Sequence, residues 1–193
     1  MSAAEIYTEP WIYWLEAAGI HLERTREWRE ISISGIPIGP RLIEATLAEL
    51  PAAMQTIAAA AFAVDGFDGA VGDAVALPNG SRPRARAIHR RLTSVLELDD
   101  PAGHERKLFW LFEIRNRAVH AGVWKESGWL HPSGLTVSRT QEEIGLENAE
   151  RAIGTSRRFI RACLHANNAD DVLGSWATIR RGRCEKLLGG PLA

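Results

Sequence analysis

Lysine is almost missing from this chain: of its 23 basic residues only Lys107, Lys125 and Lys186 are lysines, and the rest are arginines. A codon bias produces that skew, and so does a need for the planar fork with which arginine grips phosphate. Cysteine is as scarce. Cys163 and Cys184 have no metal-ligand spacing and build no disulfide framework, which points to a reducing compartment. No long hydrophobic run is present, the longest being residues 57–64, too short to span a bilayer. The first residues are acidic and aromatic instead of basic followed by apolar, so no signal peptide is expected. The expectation is a cytoplasmic protein that does not enter a membrane. Net charge is near zero, at −1, which removes any argument from bulk charge for nucleic acid or lipid and leaves only local clusters. Glycine-rich phosphate loops and nucleophile elbows are missing too, which disfavours a nucleotide-driven enzyme and an α/β hydrolase. His104-Glu105 lacks the second histidine of a zinc-protease helix. His21, His89, His131 and His165 are too scattered to suggest a metal site, so neither metal nor cofactor is expected.

What is present reads as one mainly α domain. The hydrophobic share of 46% and charged share of 24% are those of an ordinary globular protein. Thr8-Glu9-Pro10 resembles an N-cap with a first-turn proline, and Trp11, Trp14, Leu15 and Ala18 then recur at helical spacing. Gly19 is a possible bend in a helix reaching about Glu30. Residues 31–40 alternate briefly and read as a connector, with room for a short edge strand. A helical pattern follows from Arg41 to about Leu77, with Leu42, Ile43, Thr46, Leu47 and Leu50 on one side and Pro51 as a kink or restart. Its Ala- and Gly-rich second part suits a central buried helix. Ser81 is expected to cap a helix over residues 83–97, and Asp99-Asp100-Pro101 to stop and restart the chain before the next helix. Residues 129–137 resemble two short strands around a Pro-Ser-Gly turn. Helices are expected again over about residues 146–166, with Ala149, Ala152, Ile153, Ile160 and Leu164 inward, and from about Asp170 to Leu188. The expected fold is an antiparallel helical bundle with a small hairpin after its fourth helix.

The chemistry concentrates in residues 109–122. At about 100° per residue, Leu108, Leu111, Phe112, Ala118 and Val119 fall within about 60° of Arg115, which places a guanidinium in an apolar stripe. A charge there demands a partner, a wet cleft or a job. Asn116 and His120 lie at the edge of the same stripe, and Gly122 is placed to end the helix. Glu113 and Arg117 form an i,i+4 pair on the other side.

Arg115-Asn116-Arg117-Ala118-Val119-His120 resembles the R-x4-H motif of the HEPN superfamily, with its Asn after the Arg. The resemblance extends to a long Ala-rich helix, a basic-faced helix, the motif helix, a histidine-proline hairpin and a helix opening Glu-Asn-Ala-Glu-Arg-Ala. It covers residues 41–166. Residues 1–40, a helical extension and connector, and 167–193, a last helix and tail, lie outside it. The resemblance implies a four- or five-helix bundle that dimerises to join two motifs in one cleft. It also implies a metal-independent endoribonuclease, a bacterial toxin or phage-defence effector held by an antitoxin protein. Arg115 and His120 become the catalytic pair, with Asn116 supporting them. Such cleavage needs a base at the 2′-hydroxyl, an acid at the leaving oxygen and positive charge on the phosphate, and leaves a 2′,3′-cyclic phosphate. Some members are silenced by modification of a Tyr two residues after the His, where this chain has Gly122.

Two other readings compete. One is a HEPN module without catalysis that binds RNA, a nucleotide or a protein. The other is a structural interaction protein in which Arg115 pairs with a buried carboxylate. For RNA contacts the candidates are Arg82, Arg84, Arg86, Arg90 and Arg91, clustered near a helix N-terminus where the dipole disfavours cations, together with Arg117 and Trp124. A solvated face accounts for the same arginines. Arg180, Arg181, Arg183 and Lys186 sit toward a helix C-terminus, where cations are welcome.

Overall fold

A computed structural model describes residues 9–75, 84–120, 128–174, 185, 187 and 188. The chain is mainly helical. In order it forms α1 (Pro10–Ile33), α2 (Pro40–Val75), α3 (Arg84–Thr93), α4 (Pro101–Val119), β1 (Gly128–Leu130), β2 (Thr136–Ser138), α5 (Arg139–Glu143), α6 (Leu146–Leu164) and α7 (Ala169–Leu173). α2 is the central element and packs on α1, α3, α4, α6 and α7.

The α1–α2 contact is the most extensive in the fold, and small residues make it close. A Cβ on Gly66 of α2 would stand 3.2 Å from the backbone nitrogen of Trp11. The Trp11 ring is fully buried and meets Phe67 edge-on at 5.3 Å. Alanines 53, 59, 60, 61 and 63 line the buried surface of α2, so its neighbours approach without long side chains between them.

Several expectations need correction. α1 runs unbroken through Gly19 to Ile33, and residues 34–39 that follow it form no strand. Ser32 and Ser34 donate their hydroxyls back to the carbonyls of Arg29 and Ile31, and Gly35, at φ +75°, turns the chain out of the helix. Glu9 occupies the N-cap, and Thr8 lies outside the described residues. α2 continues through Pro51 as one helix. Pro51 is exposed, and so is Leu47 four residues earlier, so the carbonyl that loses its helical donor belongs to a residue on the solvent side of α2. Ile43 and Leu47 are exposed where the buried face was expected, because the face turns through Leu42, Ala45, Thr46 and Glu49.

α3 stops at Thr93, short of residue 97. Thr93 and Ser94 bond back to the carbonyls of His89 and Arg91, which competes with the helical ladder. Its proposed cap Ser81, and Gly122 after α4, fall outside the described residues. α7 ends at Leu173, where Gly174 takes φ +54°; residues 185, 187 and 188 are helical, and residues 175–184 of the helix expected to reach Leu188 lie outside the described residues. Residues 40–72 of α2 are also long and apolar enough to cross a membrane, which the run of residues 57–64 did not reveal. Of the most apolar window, 56% is buried inside this fold.

Other expectations hold. Asp100 caps α4 by accepting from the Gly103 N–H at 3.0 Å, with Pro101 in the first turn. The hairpin pairs Gly128 with Ser138, Trp129 with Val137 and Leu130 with Thr136, around a turn in which Gly134 takes φ +82°. Ala149, Ala152, Ile153, Ile160 and Leu164 are all buried.

Candidate functional site

α2, α3 and α4 enclose an open cleft of 780 Å³, lined in part by Phe62, Asp65, Arg84, Glu113, Arg115, Asn116 and His120. The three motif residues therefore share one wall. Arg115 is partly buried and stands at the edge of the core-facing stripe instead of its middle. The buried residues of α4 are Gly103, Leu108, Leu111, Ile114 and Ala118, so the stripe is turned toward Ile114, while Phe112 is half-buried and Val119 is 46% exposed. The reason lies across the cleft. α2 presents the flat ring of Phe62 there, and the Arg115 guanidinium lies 4.9 Å from its centroid, a cation–π placement open to water on the other side.

Arg115 Nη1 donates to the side-chain oxygen of Asn116 at 3.0 Å. No carboxylate among the described residues is within ion-pair distance of Arg115. His120 is the C-cap of α4: its backbone N–H bonds to the carbonyl of Asn116, and its exposed ring has no hydrogen-bond partner among the described residues. Among those residues no cluster of three His, Cys, Asp or Glu side chains is placed to hold a metal ion.

The other expected RNA contacts do not gather into one patch. Arg84 reaches the cleft, where its Nε donates to Asp65. Arg86 lies 5.6 Å from the Phe109 centroid and 3.8 Å from Glu105. Arg90 is exposed and does not line the cleft. Arg91 is turned inward, its side chain 12% exposed, and donates to both the carboxylate and the carbonyl of Asp68. Arg117 bridges Glu143 at 2.8 Å and Glu113 at 3.1 Å, which confirms the i,i+4 pair and adds α5 to it. Arg82 and Trp124 lie outside the described residues, as do Arg180, Arg181, Arg183 and Lys186.

A second polar centre was not foreseen. Arg29 of α1 is buried and grips Glu49 of α2 with two bonds, at 2.8 and 2.7 Å, while a third reaches Glu147 of α6 at 2.8 Å. The hydrogen bonds it donates to Glu49 hold the guanidinium far above its ordinary pKa. Glu49 also receives the Leu146 N–H at 3.2 Å and faces the Nε2 atom of His131 at 3.3 Å. Ser133 donates its backbone N–H to His131 Nδ1, which puts the ring proton on Nε2, toward the carboxylate. Burial depresses the His131 pKa despite that carboxylate. The signal was present in the sequence. Trp11, Leu15, Ala18, Leu22, Thr25, Arg29 and Ser32 recur at three- and four-residue steps, and all are buried. The buried ion pair weighed for Arg115 belongs to Arg29.

Comparison of the chain with protein-family models, with curated proteins and with solved structures gives no match.

Proposed function

We propose that the chain is a metal-independent endoribonuclease of the HEPN type, a homodimer acting as a bacterial toxin or phage-defence effector under an antitoxin. One observation carries this reading: Arg115 and His120 line the same cleft, and neither is engaged by a carboxylate among the described residues. A guanidinium left without a counter-charge is available to a phosphate. An imidazole without a hydrogen-bond partner among the described residues is available to take or give a proton. Arg115 grips the non-bridging oxygens, His120 exchanges a proton with the 2′-hydroxyl or the leaving oxygen, and Asn116 steadies the Arg115 fork by the bond it already accepts.

The reaction asks for a base and an acid together, and among the described residues His120 is the single imidazole lining this cleft. A second copy supplies the other. Trp14, Phe109 and Val119, each between 41% and 46% exposed, give the region of the cleft an apolar surface for that copy. Trp14 is tied to the cleft through Phe62, whose ring lies 5.0 Å away. The two cleft carboxylates, Asp65 and Glu113, favour a second reading, a HEPN module that binds without cleaving, because fixed negative charge weakens a grip on phosphate.

The test is to incubate wild-type protein and His120→Ala with mixed cellular RNA in excess EDTA and read the fragment ends. Cleavage by the wild type alone, leaving 2′,3′-cyclic phosphates, is expected. Ends bearing 3′-hydroxyl and 5′-phosphate would overturn the 2′-hydroxyl mechanism, and equal behaviour of the two folded proteins would move the reading to the binding module. Sedimentation of the same samples is expected to give twice the chain's mass for both, and a monomer would remove the two-histidine mechanism.

A further inference from the structure

The cleft holds a group that phosphate chemistry does not call for. Asp65 projects from α2, its side chain 23% exposed, into a site proposed to bind a polyanion. Glu113 is occupied, since Arg117 takes one of its oxygens and the pair faces water. Among the described residues, Asp65 is engaged on one side only. Arg84 donates a single N–H to Oδ1, which leaves Oδ2 and the remaining lone pairs as acceptors.

Flat apolar surface stands beside it. Phe62 is three residues away on the same helix, and Phe109 from α4 lines the same cleft with 45% of its surface exposed. Arg86 lies 5.6 Å from the Phe109 centroid, which adds a cationic partner for a stacked π-system. A slot with an aromatic wall and an acceptor-only edge complements a planar ring that carries two adjacent donors. Guanine has that edge, in N1–H and the 2-amino group. Adenine and cytosine each place a ring acceptor beside their amino group, which would face the carboxylate lone pairs, and uracil flanks its one N–H with carbonyls.

We infer that the cleft seats an unpaired guanine, stacked on Phe109 and read on its Watson–Crick edge by Asp65. This rests on the nuclease reading for its choice of RNA. It makes the substrate single-stranded, because in a duplex the same edge is taken by cytosine. It also gives the carboxylate a reason to sit in a phosphate-binding cleft.

The experiment is fluorescence anisotropy with 2′-O-methyl tetranucleotides that cannot be cleaved and differ at one base. The guanine ligand is expected to bind about tenfold tighter than the adenine ligand, with inosine, which lacks the 2-amino group, between them. Asp65→Asn should erase most of that advantage, while adenine binding is retained or tightens because a fixed negative charge has left the cleft. Phe109→Ala should weaken every ligand by about tenfold. Placing the same guanine within the stem of a stable hairpin should abolish binding. Equal affinity for all bases, no binding at all, or a guanine preference indifferent to both inosine and Asp65→Asn overturns the inference. Because the inosine comparison uses the wild-type protein, it stands even if a variant fails to fold. The two proposals fail separately: cleavage without base preference overturns this one alone, and guanine-selective binding without cleavage overturns the nuclease alone.

Discussion

Arg29 and Arg115 are both arginines on the flanks of helices, and their surroundings give them opposite consequences. Arg29 is enclosed and bonded to two carboxylates, so removing it strands Glu49 in the interior. Arg29→Ala is expected to cost about 3–5 kcal/mol of stability, read from urea unfolding. Arg115 has one bond to its neighbour Asn116 and a ring beneath it. Arg115→Ala is expected to cost no more than about 1 kcal/mol, the worth of an exposed cation–π contact, while cleavage falls by about a hundredfold or more. A stability loss as large as that of Arg29→Ala would mean that Arg115 is a structural ion-pair member after all. A helix wheel alone does not separate these cases. It gave the direction of the apolar residues of α4, but the covering partner decides where the stripe ends, and Phe62 stands on another helix.

At the scale of elements, the start of α4 offers a sharper test. A Cβ on Gly103 would come within 1.8 Å of Asp100 Oδ2, so alanine there displaces the capping carboxylate. Asp100→Ala is expected to cost about 1 kcal/mol. Gly103→Ala in the wild type should show little net change, because the lost cap offsets the gain of about 1 kcal/mol in helix propensity. In the Asp100→Ala background the same substitution should stabilise by that full amount. Additive effects in the thermal unfolding of the four proteins would show that a side chain at residue 103 leaves the cap undisturbed. This cap was legible, because Asp-Asp-Pro is a local signal with a local cause. So were the hairpin, from its Pro-Ser-Gly turn, and the inward face of α6, from its long period. α5 was not read, because five residues carry no period and its capping box, Ser138 with Gln141, was the one available sign. The passage of α2 through Pro51 depends on the exposure of Leu47, and the early end of α3 on hydroxyls that bond to their own helix. The R-x4-H residues were legible as a motif. Asp65 and Phe62 were not, because tertiary packing alone brings α2 to face α4.

Across the whole molecule, three histidines set a common response to acid. His21, His104 and His131 have their pKa values lowered, by burial first in each case. Arg24 adds to the effect at His21 and Lys107 at His104. At His131, Glu49 and Glu147 oppose it and Arg29 reinforces it. The unfolded chain takes up these protons near pH 6.5, before the fold does, so between the two pKa values the unfolded state holds more of them. Stability is expected to be complete above pH 6.5 and to fall as the pH drops below it. Urea midpoints between pH 7.5 and 5.5 measure this, and His131→Gln should flatten the slope. A midpoint that holds or rises on acidification would contradict the burial of these rings. The knot around Glu49 also has a consequence in time. Its members are separated by 20, 82, 97 and 118 residues, and it closes only when α1, α2, the hairpin and α6 have all arrived. Bonds of such long range are expected to form late, after the alanine-rich helices have collapsed. Loosening the knot should therefore leave the refolding rate nearly untouched and speed unfolding, so that the knot acts as a latch on the lifetime of the native state.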